Sequence, residues 1–221
     1  MPNNTPPLGK RAAWPIIFKG PSRQRSIALT FDDGPHPRFT VEILDALSRG
    51  NMRATFFMTG QNLRSHKDLA LRVHEAGHEI ANHSLSHARC FFMGRKKTAA
   101  ELKETSSLIE DITGHAASWF RPPYGIVTPA IFSACKQLGL RIVLWNVNSH
   151  DYAKRKQSGI ARRVIKKIRP GAIVLFHECH FWDPSKDYAP TVEALSEIAP
   201  FLAREGLRAV TMGSLIMEAR P

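Results

Sequence analysis

About seven times along the chain, a short apolar run of strand-like composition gives way to a longer stretch whose apolar residues recur at helical spacing; no other feature narrows the fold as much. "SIALTF" leads into "PRFTVEILDALSRG", where Val41, Leu44 and Leu47 share a face and Gly50 ends the pattern. "RATFFMTG" leads into "LRSHKDLALRVHEAG", "HEIANH" through a loop into "TAAELKETSSLIEDITG", and "ASWFR" into "TPAIFSACKQLG". "RIVLWNVN" reads as one strand before "SGIARRVIKKIRPG", "AIVLFH" precedes "TVEALSEIAPFLAREG" with a kink expected at Pro200, and "LRAVTM" precedes "SLIMEAR". Such alternation demands a mostly parallel sheet covered by helices. The chain has 221 residues and shows no internal repeat or linker, so one domain is expected. Seven such units can close into a barrel or stay open as a doubly wound sheet; no G-x-G-x-x-G follows the first run, which removes support for the dinucleotide-binding version of the open sheet.

In a βα barrel the working residues gather where strands end and loops begin. Asp32 and Asp33 follow the first run, His83 and His87 the third, Arg121 the fourth, Asp151 the fifth, and His177 ends the sixth. Asp-Asp-Gly-Pro is ordinary turn chemistry, yet two adjacent carboxylates can also divide two tasks when a cation neutralises one of them. His83 and His87, four apart on one helical turn or in a tight loop, bring two imidazoles to one side; they are either a surface histidine pair, common at this spacing, or, with an oxygen from Asp33, a hydrolytic zinc arrangement. Asp32 then remains free as a base for the attacking water. Arg121, stiffened by two prolines, is either a surface residue of a rigid loop or a fork that holds a carboxylate, with the Tyr124 backbone N–H facing an oxyanion. His177, after a buried-looking strand, is either a satisfied core residue or an acid for the leaving group. The loop "HECHFWDPSKDY" offers Phe181, Trp182 and Tyr188 for stacking on sugar faces, or as a cover for a barrel end. His36 and His150 lie on the same rim, within reach of a substrate.

The formal charge of +12 is concentrated at Arg95–Lys97, Lys154–Lys156 and Arg162–Arg169, the last on the polar face of a helix whose apolar face is Ile160, Ala161, Val164, Ile165 and Ile168. That field suits an anionic glycan, an anionic lipid surface or nucleic acid. Three scattered cysteines, Cys90, Cys135 and Cys179, are expected as free thiols. "GKRAAWPIIFKG" is short, broken by Pro15 and closed by Lys19, so it reads as part of an N-terminal arm or edge element over residues 1–25 rather than as a signal peptide. The expectation is a cytoplasmic protein able to dock at an anionic membrane surface.

Taken in order, "TFDDGP", "HSLSH", "RPPYG", "WNVNSHDY" and "LFH" strongly resemble the five motifs of the NodB-type polysaccharide deacetylases, carbohydrate esterase family 4. The resemblance extends through "ATFFMTG", "EAGHEIANHS" and "TVEALSEIAPFLAREGLRAVTM", from about residue 26 to 212. It implies a distorted (β/α)7 barrel, with residues 26–221 as the catalytic domain, and a Zn²⁺ site that would also accept Co²⁺. It further implies Asp33, His83 and His87 as ligands, Asp32 as base, His177 as acid, Arg121 orienting Asp32, Tyr124 donating its backbone N–H, Asp151 tuning His177, and Leu175 receiving the acetyl methyl. Asn148 and Tyr152 depart from the family's D-x-x-D-W at its first Asp and its Trp. The implied reaction is hydrolysis of the acetamido group of an N-acetylated amino sugar or oligosaccharide to free amine and acetate. Alternatives on the same barrel are an O-acetyl esterase, a hydrolase of another small amide, or a silent polyanion-binding barrel. Neither nucleic acid nor an obligate protein partner is expected.

Overall fold

The computed structural model describes residues 16–88, 93–153, 159–183 and 185–217. Residues 1–15 of the expected arm, Cys90 and the basic run Lys154–Lys156 lie outside the described residues. The order is β1 (Ser26–Asp32), α1 (Phe39–Arg49), β2 (Ala54–Met58), α2 (Gly60–Ser65), α3 (Lys67–Glu75), β3 (Glu79–Asn82), α4 (Arg95–Thr113) and β4 (Trp119–Phe120). There follow α5 (Pro129–Leu138), β5 (Arg141–Ile142), β6 (Val147–Asn148), α6 (Ile160–Lys167), β7 (Ile173–His177), α7 (Ala189–Arg204), β8 (Arg208–Ala209) and α8 (Met212–Met217). No helix among the described residues is long and apolar enough to cross a membrane.

All strand pairings are parallel, and the sheet runs β5-β4-β3-β2-β1-β7-β6. Its two edges are halves of the single strand expected at "RIVLWNVN". Only Val143–Asn146 join them, so the sheet is forced to curl until its edges nearly meet. That is the distorted barrel of seven β/α units in one domain. The break is filled from the N-terminal side: Ile17 N–H donates to Ile142 O, Leu144 N–H to Ile17 O, and Gly20 N–H to Gly171 O. At the opposite end β8 wedges between β1 and β2, with Val210 N–H on Ile27 O and Arg53 N–H on Ala209 O.

Strand alternation divides β1 between two cores. Ile27, Leu29 and Phe31 pack beneath the helices with Ile43 and Leu47 of α1 and Leu195 and Ile198 of α7. Ala28 faces the barrel interior with Phe57, Ala81, Trp119, Val143 and Ile173, closed by Met212 and Leu215 of α8. In α1 the buried stripe centres on Ile43 and Leu47, leaving Val41 half-buried. The stretch after β2 is two helices, not one. Thr59 caps α2 by accepting from Asn62 N–H, and the chain turns at His66 before α3. α5 follows sequence rules closely: Thr128 caps it, Pro129 opens it, and Gly139 at φ 73° ends it. α7 continues through Pro200, because that residue is exposed while Ile198 and Leu202 on the opposite face hold the helix to the core. Cys135 and Cys179 are buried thiols outside any disulfide.

Candidate active site

The site grows from the last row of the sheet. Register places Asp32 beside Phe57 on one side and His177 on the other, Met58 beside Asn82, and Asn82 beside Phe120. The ladder then runs one residue past the strands: Asp33 N–H donates to Phe57 O, His83 N–H to Met58 O, Arg121 N–H to Asn82 O, and Glu178 N–H to Asp32 O. Regular strand pairing therefore delivers Asp33, His83 and Arg121 to one rim, with Asp32 and His177 in the row beneath.

Beyond that row the backbone is strained. Of six described non-glycine residues at positive φ, five stand on these loops: Asp33 (78°), Ser84 (65°), His87 (48°), Tyr124 (60°) and His150 (57°). Such conformations persist only where surrounding structure holds them, and they concentrate at functional sites. The support is visible. His83 and His87 lie on a tight loop, not a helical turn, and the buried Glu101 of α4 accepts from Leu85 N–H, Ser86 N–H and the Ser86 hydroxyl. Asn82 adds a bond to Ser84 N–H while donating to Leu102 O. Asp33 O receives Asn62 Nδ2 at 2.7 Å and the Cys179 thiol at 3.1 Å.

Asp33, His83 and His87 converge, their ligand atoms all within 4.8 Å of one another and all three residues buried. His83 Nε2 is 3.3 Å and His87 Nε2 3.1 Å from Asp33 Oδ1. His83 Nδ1 lies 2.7 Å from Arg121 O, which can only accept, so Nδ1 carries a proton and Nε2 is the nitrogen that faces the site. Asp33 Oδ1 is buried without a donor. A carboxylate oxygen and two imidazole nitrogens converging on one buried point are a donor set that fits a divalent cation. Burial opposes ionisation of Asp33, but the two imidazoles outweigh it and hold its carboxyl well below the usual range.

Asp32 is kept apart from this cluster. Its Oδ1 accepts from Arg121 Nη1 at 2.7 Å, and its Oδ2 is 3.8 Å from His83 Nε2. Arg121 is a fully buried fork, not a surface residue. It also donates to Thr30 Oγ1 (2.8 Å) and Leu144 O (3.2 Å), and lies 4.0 Å above the Phe57 ring. One residue thus positions Asp32 through its side chain and His83 through its carbonyl.

Across the cavity, His177 Nδ1 lies 2.8 Å from Asp151 Oδ1, while Asp151 Oδ2 accepts from His177 N–H (2.8 Å) and the Thr191 hydroxyl (3.1 Å). Burial alone would lower the His177 imidazole. The charge and hydrogen bond of Asp151, with smaller help from Asp33 and Asp32, push it up to about 9. The cavity between these groups measures about 270 Å³ and is lined by Leu175, Tyr124, Trp145 and Asn148 as well as Asp32, Asp33, His83, His87 and His177.

The sequence profile described as Polysaccharide deacetylase matches residues 19–143. The chain belongs to the polysaccharide deacetylase family. A peptidoglycan-N-acetylglucosamine deacetylase of Bacillus cereus is 33% identical over 203 residues, covering 91% of this chain and 92% of the relative. A chitooligosaccharide deacetylase of Rhizobium leguminosarum bv. trifolii is 36% identical over 157 residues, covering 71% and 73%. A crystal structure of a peptidoglycan N-acetylglucosamine deacetylase in complex with 4-naphthalen-1-yl-N-oxidanyl-benzamide superposes with a TM-score of 0.85 at 32% identity, over 91% of this chain and 92% of that one.

In this polysaccharide deacetylase family member the aromatic loop after β7 differs from expectation. Tyr188 is buried between Phe39 and His177, and Phe181 stacks on His87; only Trp182 is exposed, on the rim outside the cavity, donating to Tyr124 OH at 3.1 Å. His36 accepts from Arg38 N–H and Phe39 N–H at the start of α1, a capping role. Asn148 Oδ1 accepts from His150 N–H, the turn-forming bond an Asp would make, and Tyr152 meets the His177 ring edge-on at 5.4 Å. Sequence reasoning missed Trp145, which the broken strand turns into the cavity. It packs so close to Gly125 (φ 69°) that a Cβ there would lie 2.8 Å from the indole. It also missed Thr30, Glu101 and Thr191, ordinary polar residues within apolar patterns whose partners lie on other elements.

Proposed function

We propose that the protein is a divalent-metal-dependent deacetylase that hydrolyses the acetamido group of an N-acetylated amino sugar in a glycan, releasing acetate and a free amine. The observation that carries this reading is the three-atom convergence at Asp33, His83 and His87 with Asp32 held outside it by Arg121. Relatives named for N-acetylglucosamine and chitooligosaccharide deacetylation support the sugar. A cavity of about 270 Å³ is small for a whole glycan, which points to an acyl group inside and sugar across the rim.

A zinc or cobalt ion bound to these three residues would supply Lewis acidity and make a water more acidic. Asp32, oriented by Arg121, takes the proton of the attacking water. The Tyr124 backbone N–H is assigned to the oxyanion that develops on the acetyl carbonyl. Leu175, buried in the cavity wall, receives the methyl group. His177, kept cationic by Asp151, protonates the nitrogen as the C–N bond breaks; without that proton the amine is a very poor leaving group. Trp182 offers an exposed indole to a neighbouring sugar ring. We further infer contact with an anionic membrane surface from the cytoplasmic side, supported by the exposed Arg162, Lys166 and Lys167 on the outer face of α6.

The test is acetate release from N-acetylglucosamine oligomers and peptidoglycan fragments. Activity should vanish with a chelator and return with Zn²⁺ or Co²⁺. Turnover of O-acetylated but not N-acetylated glycans would replace this reading with an esterase, and chelator-resistant turnover would overturn the metal site.

A further inference from the structure

The two imidazoles of the cation site are held in different ways. His83 has its outer nitrogen fixed by the Arg121 carbonyl at 2.7 Å, the usual means by which a ligating histidine is oriented. His87 has no such bond. Its Nδ1 is buried without a partner, and its backbone sits at φ 48°, so neither its ring nor its loop is oriented by a hydrogen bond from that nitrogen. What contacts the ring instead is aromatic. Phe181 stacks on it at 5.3 Å and 21° between planes, and Tyr124 meets it edge-on at 4.9 Å and 66°.

These contacts close on themselves. Phe181 packs edge-on against Trp182 at 4.9 Å, and Trp182 Nε1 donates to Tyr124 OH at 3.1 Å, so His87, Phe181, Trp182 and Tyr124 form a ring of four side chains at the mouth of the site. The loop that bears Phe181 and Trp182 is tied down: Asp183 N–H donates to His180 O, the Lys186 ammonium reaches Tyr152 O, and Tyr188 is buried. A tethered loop can hold an aromatic plane against a histidine and restrict its rotation about χ2, which a solvated loop cannot.

We propose that Phe181 is a positioning residue for His87, aiming its Nε2 at the cation by ring stacking where a hydrogen bond is missing, so that the loop after β7 forms part of the metal site. The proposal rests on the reading of Asp33, His83 and His87 as ligands. It assigns the loop to metal affinity rather than to sugar binding alone.

The test is zinc affinity of the full chain, measured by competition with a chromophoric chelator, for the wild type and for Phe181→Ala, Phe181→Leu and Phe181→Tyr. Loss of a group that orients a ligand typically weakens metal binding by about 10- to 100-fold. The Ala and Leu variants should bind zinc at least about tenfold more weakly, while Tyr, which keeps the ring, should stay within about twofold. The zinc concentration for half-maximal deacetylation should rise in parallel, with kcat at saturating zinc largely retained. Metal-free melting temperatures, measured alongside, separate the packing lost around the partly buried Phe181 from the loss of zinc affinity. Zinc affinity in the Leu variant equal to wild type would overturn the proposal, as would equal losses in Tyr and Ala. A wild-type protein that binds no zinc would instead overturn the ligand assignment itself, and this proposal with it.

Discussion

Replacing Asp151 by Asn keeps the size of the residue and removes the charge that holds His177 protonated. Asp151 Oδ1 is 2.8 Å from His177 Nδ1, and its other oxygen takes the His177 N–H and the Thr191 hydroxyl. His177 stands at about 9, against about 6.5 for an unperturbed imidazole, a gap of about 3 kcal/mol. Asp33 and Asp32 contribute the smaller part of that rise, and a cation at Asp33 cancels much of it, leaving Asp151 as the main support. Without Asp151, burial prevails and takes the imidazole below its ordinary value. At pH 7.5 more than about nine-tenths of wild-type His177 is imidazolium; in the variant the fraction falls to about a tenth or less. The assay is acetate release from N-acetylglucosamine oligomers across pH at saturating zinc. The basic limb of kcat, near pH 9 or somewhat below it in the wild type, should move down by at least about one pH unit, and kcat at pH 7.5 should fall about tenfold or more. Stability offers a second readout. A histidine raised in the folded state stabilises fully below about 6.5, and that contribution is lost as pH rises through about 9, so the variant should lack this slope and converge on the wild type in alkali. A basic limb that stays in place in Asp151→Asn would refute the reasoning.

Other perturbations test the same framework. Arg121→Ala leaves Asp32 buried beside Thr30 without its partner, which should cost about 3–5 kcal/mol in thermal or urea unfolding and lower kcat; an unchanged melting temperature would contradict the assigned role. Glu178 is fully buried with one oxygen taken by the Thr40 hydroxyl and the other unpartnered, and burial, then Asp33 and Asp32, push it up to about 8. Because the folded state holds that proton more tightly, stability is lost as pH rises from about 4.5 through about 8. Glu178→Gln should therefore stabilise the protein by about 1–3 kcal/mol at pH 8 and change little at pH 4, read by thermal melts. Reversing Arg162, Lys166 and Lys167 to Glu should reduce sedimentation with phosphatidylglycerol vesicles, and wild-type binding should weaken with salt; equal binding to neutral vesicles would exclude this surface.

The alternation of strand-like and helical periods was enough to determine a parallel sheet under helices, because side-chain period is set locally by backbone geometry. Residue type and position at the strand ends were enough to bring Asp32, Asp33, His83, His87, Arg121 and His177 under suspicion, since a barrel collects those ends on one rim. Two adjacent aspartates could not reveal their division of labour. That comes from Arg121, a residue 89 positions from Asp32 in the chain, which reaches across the barrel interior to one carboxylate and leaves the other to the histidines. The strand read as continuous at "RIVLWNVN" is interrupted at Val143–Asn146, where the two edges of the curled sheet approach each other, and only that tertiary arrangement places Trp145 in the cavity. Thr30, Glu101 and Thr191 carry no local signal at all, because each acquires its role from a partner on another element; Phe181 was legible only as a loop aromatic, and its contact with His87 is a matter of packing. Local chemistry selected the reactive residues; long-range packing decided what each of them faces.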